Sequence, residues 1–278
     1  MLIFKVALSA LLILVLMGLE KRASFWDHVG ASESKKNLKI NLGAGFINFI
    51  VIRFLFILIL SSWLKEWVPS TWNYIDLLWI VALDLGIYIQ HRLFHKLSFL
   101  WRFHWAHHTD QALHWASGVR FHLGEVLMSL GFKLFIVVIF QIPLPIYLLY
   151  ETLLAGFSLF NHSAIQLPDS FERLIRWIFV TPQMHWIHHS IIPQEMHSNF
   201  GNILSLWDRI FRTYLNNGQK SYPKIDLGIL GLTGSLSWKQ FWWGPFENRN
   251  FNSLNGDVLS EFEKPAHKRS EGESQKSP

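Results

Sequence analysis

The stretch YIDLLWIVALDLGIYIQHRLFH, residues 74–95, joins an apolar run directly to a pair of histidines. Residues 74–89 are apolar apart from two aspartates, and His91 and His95 follow them four positions apart. Positions i and i+4 lie on one face of an α-helix, so both imidazoles would point in the same direction. The stretch therefore predicts a membrane-embedded helix that delivers two histidines to a site at its end.

Three further apolar runs lie along the chain, at residues 6–19, 40–63 and 126–160. The last run contains the sequence QIPLP at residues 141–145, which predicts two helices of about 17 residues joined by a proline turn. A membrane-spanning helix needs about 20 predominantly apolar residues. We therefore predict an all-α, polytopic membrane protein with about four to five membrane-embedded helices.

The first apolar run has a second interpretation, because Lys5 precedes it as in a secretory signal peptide. No small-x-small cleavage site follows this run. Glu20, Lys21 and Arg22 follow it instead and resemble a stop-transfer flank. We therefore favour a first membrane helix over a signal peptide.

The composition agrees with a membrane protein and excludes several kinds of site. Half of the 278 residues are hydrophobic and only 16% are charged, against about 25% in a soluble domain. The 14 tryptophans suit the interfacial belts of membrane proteins, and the net charge of +5 suits anionic lipid headgroups. This charge is too diffuse to indicate nucleic-acid binding. The absence of cysteine excludes disulfides and thiolate metal sites.

The distribution of basic residues predicts how the helices are oriented. Five basic residues separate the first and second apolar runs: Lys21, Arg22, Lys35, Lys36 and Lys39. By the positive-inside rule this loop is cytoplasmic, so the second run leads outward and the third run returns. The hairpin at residues 126–160 begins and ends on that same side. We expect an active site on the cytoplasmic face of the membrane, held by a cytosolic helical cap.

Histidines are concentrated in three short motifs that place a metal site on that face. HRLFH at residues 91–95 precedes HWAHH at residues 104–108 and HWIHH at residues 185–189. On a helix, each motif can aim two or three imidazoles at a common point. Because a first-row metal ion takes roughly four to six ligands, eight imidazoles imply two ions. His162 is a plausible ninth ligand, and the spacing leaves zinc, copper, iron and nickel open.

These motifs, together with others in fixed order, resemble the fatty acid hydroxylase and sterol desaturase superfamily. The segments at residues 84–95, 100–109 and 120–125 resemble the family patterns D-x-x-x-Y-x-x-H-R-x-x-H, L-W-x-x-H-x-x-H-H-S/T and R-x-H-x-x-E. SNFG at residues 198–201 and WDRIF at residues 207–211 resemble the family's S-N-Y-G and W-D-R-L-F. The resemblance covers nearly half of the chain, from Asp84 to Tyr214. Arg212 departs from it, since a glycine is common at this position in the family.

The resemblance implies two iron ions, O₂ as co-substrate, a lipid substrate and hydroxylation or desaturation of a C–H bond. We favour hydroxylation. It also implies an external electron donor, a reductase with a ferredoxin or cytochrome-type carrier. The implied metal ligands, which are also the catalytic residues, are His91, His95, His104, His107, His108, His162, His185, His188 and His189.

Three further residues are candidates for the surroundings of the metals or for substrate contact: His122, Asp84 and His197. His122 either has such a role or caps a helix, with Glu125 as its partner. Asp84 lies two helical turns before His91 and either orients its ring or forms a buried pair with Arg53. His197 is either a site residue or an ordinary loop residue.

Two rival functions are a metal transporter and a zinc-dependent membrane hydrolase. A transporter needs polar residues along a path through the membrane, whereas the histidines lie outside the apolar runs. A hydrolase of the H-E-x-x-H type needs a glutamate beside its ligands, and none lies within the motifs. The position of the histidines and the lack of a glutamate within their motifs therefore both favour the oxygenase.

The chain divides into four predicted regions. N-terminal transmembrane helices occupy residues 1–70, and a catalytic domain similar to fatty acid hydroxylases occupies residues 71–215. A C-terminal cytosolic segment follows at residues 216–261. The polar, charged residues 262–278 form a disordered tail.

Overall fold

A computed structural model describes residues 11–20, 31–59, 68–216, 225–232 and 234–247, and every structural statement below concerns these residues. Their helices are α1 (Leu11–Glu20), α2 (Ala31–Ile59), α3 (Leu78–Lys96), α4 (Ser98–His108), α5 (Leu123–Ile139), α6 (Leu144–His162), α7 (Asp169–Ile175), α8 (Pro182–His188), α9 (Pro193–Met196), α10 (Leu206–Ile210) and α11 (Trp238–Trp243). The described residues form no β-strand and only two isolated bridges. The prediction of an all-α fold is confirmed for this part of the chain, and the tail at residues 262–278 lies outside it.

Three of the described helices are long and apolar enough to cross a membrane. They span Lys35–Phe56 within α2, Tyr74–Lys96, which joins a 3₁₀ turn to α3, and Leu144–His162, which is α6. The expected total of four to five membrane-embedded helices would also need α1 and α5. With 10 and 17 residues described, both are shorter than a span of about 20 residues.

Helix α2 begins earlier than the apolar run predicts. The run starts at Ile40, and the polar residues before it, including Lys35, Lys36 and Lys39, were expected in a loop. The structure extends α2 back to Ala31. Ala, Glu and Lys are strong helix formers, so the polar segment continues the helix.

The predicted proline hairpin is present as α5 and α6. The turn between them contains Gln141 in a left-handed conformation, with φ 54°, and Pro145 in the first turn of α6. Proline suits this position because the first helical N–H groups have no partner within the helix. An ion pair of 2.6 Å between Lys133 Nζ and Glu151 Oε1 joins the two helices.

The segments between the long helices are fixed by buried polar side chains. Arg120 is fully buried, and its guanidinium donates to Asn41 Oδ1 on α2 and to Thr109 Oγ1 after α4, both at 2.8 Å. Glu20 at the end of α1 accepts the N–H groups of Trp115, at 2.7 Å, and Ala164, at 3.0 Å. Glu20 is therefore a buried anchor rather than the solvated flank that its charged neighbours suggested.

Candidate metal centre

The structure gathers all nine predicted histidines into two adjacent groups. The potential ligand atoms within each group lie within 4.8 Å of one another. The first group contains His91, His95, His104, His108 and His188, and the second contains His107, His162, His185 and His189. All nine rings are buried, so each group is a compact set of imidazole nitrogens shielded from solvent.

Each H-x-x-H-H motif serves both groups. In residues 104–108, the first and last histidines belong to the first group, whereas His107 belongs to the second. In residues 185–189 the first and last histidines belong to the second group, whereas His188 belongs to the first. Residues i and i+4 share a helix face while i+3 lies further round the axis. Each motif therefore contributes two histidines to one group and its middle histidine to the other, so both motifs link the two groups.

The local structure around α8 explains how its short motif is held. The helix has only seven residues, and Thr181 caps it by accepting the N–H of Met184 at 3.3 Å. Pro182 occupies its first position, where proline is favoured. Capping fixes the direction of this helix, and thereby of its histidines, although the helix is too short to be stable alone.

Backbone carbonyls orient four of the nine rings from outside the groups. The Nδ1 atoms of His91 and His188 lie 2.8 Å from the carbonyl oxygens of Phe200 and Ser198. The carbonyl of Arg120 lies 3.0 Å from His107 Nδ1, and that of Ser158 lies 2.7 Å from His162 Nδ1. A carbonyl oxygen only accepts, so each Nδ1 carries the proton and each Nε2 presents a lone pair to its group.

His104 is oriented by a carboxylate. Its Nδ1 lies 2.7 Å from Oε1 of Glu125, in the first turn of α5. This arrangement of carboxylate and imidazole is the one that commonly supports a metal-bound histidine. Sequence reasoning missed this role, because it assigned Glu125 to His122. The family-like pattern R-x-H-x-x-E at residues 120–125 contained the signal.

The inward nitrogens fit metal ions and little else. His91 Nε2 and His104 Nε2 are 3.1 Å apart, and His107 Nε2 and His162 Nε2 are 3.0 Å apart. Since all four rings carry their proton on Nδ1, these contacts bring two lone pairs face to face. Such pairs repel unless a cation lies between them. Each group therefore has the donor set of a transition-metal site with nitrogen ligands.

The environment also keeps the imidazoles neutral, as metal binding requires. Burial, together with the neighbouring imidazoles, holds the pKa of His107, His185 and His188 well below the usual value of 6.5. The pKa values of His108 and His189 are lowered in the same way. Neutral imidazole binds metal whereas imidazolium does not, so these rings are ready to bind near neutral pH.

The three further candidates lie outside both groups. His122 caps α5 by accepting the N–H of Gly124, and its Nε2 lies 3.1 Å from the carbonyl of Trp242. Asp84 accepts hydrogen bonds from the indole of Trp207 at 2.8 Å and from the N–H of Leu204 at 3.0 Å, so it orients this segment rather than a histidine ring. His197 lies closer to the first histidine group, with its ring centroid 5.4 Å from that of His95.

Comparisons with known proteins agree with this geometry. The family model described as "Fatty acid hydroxylase" matches residues 77–213. The ornithine lipid hydroxylase OlsE of Rhizobium tropici is 31% identical over 169 residues, which cover 61% of this chain and 49% of that protein. Two alkylglycerol monooxygenases are also similar to this chain. The Caenorhabditis elegans protein is 26% identical, and the match covers 58% of this chain and 31% of that protein. The Xenopus tropicalis protein is 25% identical, and the match covers 65% of this chain and 41% of that protein.

The matched region thus spans half or less of each of these relatives. No solved structure matches the chain.

Proposed function

This chain belongs to the fatty acid hydroxylase superfamily, and we propose that it is an O₂-dependent di-iron membrane enzyme that hydroxylates a C–H bond of a lipid. The observation that carries the proposal is the pair of buried all-histidine groups, in which inward Nε2 lone pairs face each other. The relatives named as a lipid hydroxylase and as monooxygenases support hydroxylation as the reaction.

One iron ion would be held by His91, His95, His104, His108 and His188. The other would be held by His107, His162, His185 and His189. Bound iron would supply the activation of O₂ that oxidises an otherwise unreactive C–H bond.

The protein contributes position and exclusion of water. Hydrogen bonds from Nδ1–H groups to backbone carbonyls fix the ring planes of four histidines, His91, His188, His107 and His162. The carboxylate of Glu125 fixes the ring plane of His104 in the same way. Trp101 and Trp186 are almost fully buried, and the indole of Trp186 donates to the carbonyl of Ser163 at 3.0 Å. A dry surrounding protects the reacting centre from side reactions with water.

The membrane setting is the second part of the proposal. We propose a multi-pass protein whose metal centre faces the cytoplasm, because the loop between the first two apolar runs is basic. Residues 71–215 form the catalytic domain in this proposal. Electrons come from a separate reductase with a ferredoxin or cytochrome-type carrier.

Desaturation on the same scaffold is the alternative reaction, because it differs from hydroxylation only in the loss of a second hydrogen. A zinc hydrolase is less well supported. Glu125 is a candidate for its base, and Oε1 of this carboxylate already accepts from His104 Nδ1. A transporter is disfavoured because the relatives are named as enzymes.

Two measurements test the proposal together. Metal analysis of full-length protein made under iron-replete conditions should give two irons per chain, and stoichiometric zinc would contradict the oxygenase. Lipid extracts from cells with and without the gene should differ by the mass of one oxygen atom in one lipid class. A loss of two hydrogens instead would identify a desaturase.

A further inference from the structure

A cavity of about 770 Å³ lies beside the first histidine group. His95 is part of its wall, so the cavity reaches one of the rings assigned above to iron. One part of the wall is formed by the last turns of α3, and the rest by Gln194, His197, Ser198, Phe200 and residues 211–215. A small amphiphile or the head of a larger lipid can therefore enter next to the metals.

The cavity wall is cationic. Arg92, Lys96 and Arg212 line it, and all three are exposed. None of the described residues that line it is an aspartate or a glutamate. Asp208 interacts electrostatically with Arg92, but it is buried and already accepts hydrogen bonds from the N–H groups of Phe200 and Gly201. The charge that the cavity presents to a ligand is positive.

The α3 side of the wall carries apolar side chains beside charged ones. Ile89 and Leu93 are exposed and line the cavity, and Arg92 and Lys96 line it from the same helix. Ile89 precedes Lys96, the last residue of α3, by about 10 Å along the helix axis. This mixture suits an amphiphile whose chain contacts the apolar side chains while its charged group contacts Arg92 or Lys96.

The Arg92 side chain is held in place by aromatic rings. The guanidinium carbon of Arg92 lies 5.8 Å from the ring centre of Tyr88 and 6.0 Å from that of Phe211, which stack on each other. Arg212 has φ 58°, in the left-handed region that non-glycine residues rarely occupy. The N–H groups of Thr213 and Tyr214 both donate to the carbonyl of Asp208 and hold this turn, which places Arg212 on the cavity wall as a third positive charge.

We infer that this cavity is a subsite for an anionic group, a phosphate or a carboxylate, on the lipid substrate, with Arg92, Lys96 and Arg212 as its binding residues. This inference rests on the proposed function, because only that function makes the bound lipid a substrate. A docked acidic protein is the less suitable occupant, because the cavity is concave and extends inward to His95.

The test compares three probes of equal chain length, dodecyl phosphate, laurate and dodecanol, on full-length protein in phosphatidylcholine nanodiscs. Affinity is measured without a reductant, so no turnover is required. Either anionic probe should bind about tenfold more tightly than dodecanol, because each charge-assisted hydrogen bond contributes roughly that factor. The comparison of phosphate with carboxylate identifies the preferred group.

Three single variants locate the binding. Arg92→Gln, Lys96→Gln and Arg212→Gly should each weaken the anionic probe about tenfold and leave dodecanol unchanged. Arg212→Gly also removes the backbone strain, so its loss of affinity should accompany unchanged or higher thermal stability. Arg173→Gln, an exposed cation on α7 that does not line the cavity, is the matched control.

Equal binding of dodecanol, or unchanged affinity in all three variants, would overturn the subsite. It would also be overturned if the variants kept probe affinity but lost reduction by an acidic electron carrier, which would make this face a protein-docking surface. The proposed function fails differently, through the absence of an oxidised lipid, and that result leaves the probe affinities intact.

Discussion

At the scale of single residues, the position of one proton decides what a histidine can bind. His104 depends on Glu125 for this, at 2.7 Å. We expect Glu125→Leu to lower iron affinity about 10–100-fold, because the ring loses the acceptor that fixes its tautomer. Glu125→Gln should lower it less, since the amide oxygen still accepts. Iron titration of both purified variants checks this, and a Gln variant weaker than the Leu variant would argue against the role.

His188 and His122 form a matched pair of buried histidines with different expected outcomes. His188 belongs to the first group, whereas His122 belongs to neither. His188→Ala should abolish product and reduce bound iron while the protein stays inserted in the membrane. His122→Asn should keep two irons per chain, because Asn can still cap α5. Wild-type activity in His188→Ala would refute its assignment as a ligand.

His114 lies outside both histidine groups and allows a prediction of how the stability of the fold depends on pH. Burial lowers its pKa below the usual 6.5, against the opposing influence of Asp110. The folded chain therefore resists a proton that the unfolded chain accepts, so stability falls as the pH drops below about 6.5.

We expect His114→Gln to reduce this pH slope by up to about 1.4 kcal/mol per pH unit between pH 6.5 and 5. Chemical unfolding at a series of pH values measures the slope in wild type and variant. An equal slope in both would show that His114 titrates normally, even if the variant is less stable overall.

Histidine spacing could predict part of the site at this scale. It predicted that each of the three motifs aims two or three imidazoles at a common point, and His162 was a plausible ninth ligand. It could not predict that His107 and His188 change groups, because that depends on how α4 and α8 face each other. The outer partners were also hidden, since four of them are backbone carbonyls that carry no residue-specific signal.

At the scale of helices, the ion pair between Lys133 and Glu151 holds the α5–α6 hairpin. Lys133→Met should destabilise the protein by about 3 kcal/mol, because it leaves a carboxylate without its partner in an apolar setting. The double variant Lys133→Met with Glu151→Leu should recover most of this loss. Unfolding by SDS in mixed micelles measures both, and a double variant as unstable as the single one would contradict the explanation.

Element boundaries followed from hydropathy only where the polarity changes at a helix end. The hairpin at residues 126–160 was predicted because QIPLP interrupts an otherwise apolar run. The start of α2 was not, because its first turns are polar yet helical and bury Asn37 and Asn41. Helix propensity continues the polar segment, and contacts distant in sequence hold the helix just after it, where Asn41 accepts from Arg120 and donates to Asp110.

At the scale of the whole molecule, the proposed orientation is directly testable because the chain contains no cysteine. Ser70 and Ser170 are exposed and lie before α3 and within α7, on opposite sides of the membrane in the proposed topology. In right-side-out vesicles an impermeant maleimide should label Ser70→Cys at once, and Ser170→Cys only after lysis. The reverse pattern would place the metal centre outside.

The separation of the ligands along the chain has a consequence for biosynthesis. Each histidine group draws on α8 or the residue after it as well as on earlier helices, so the first group is incomplete until His188 has been synthesised and the second until His189. In the described part of the chain, the helices that can cross a membrane all precede this point. Under the proposed function, a ribosome that stops before residue 182 would therefore release a chain that has these helices but no complete iron site.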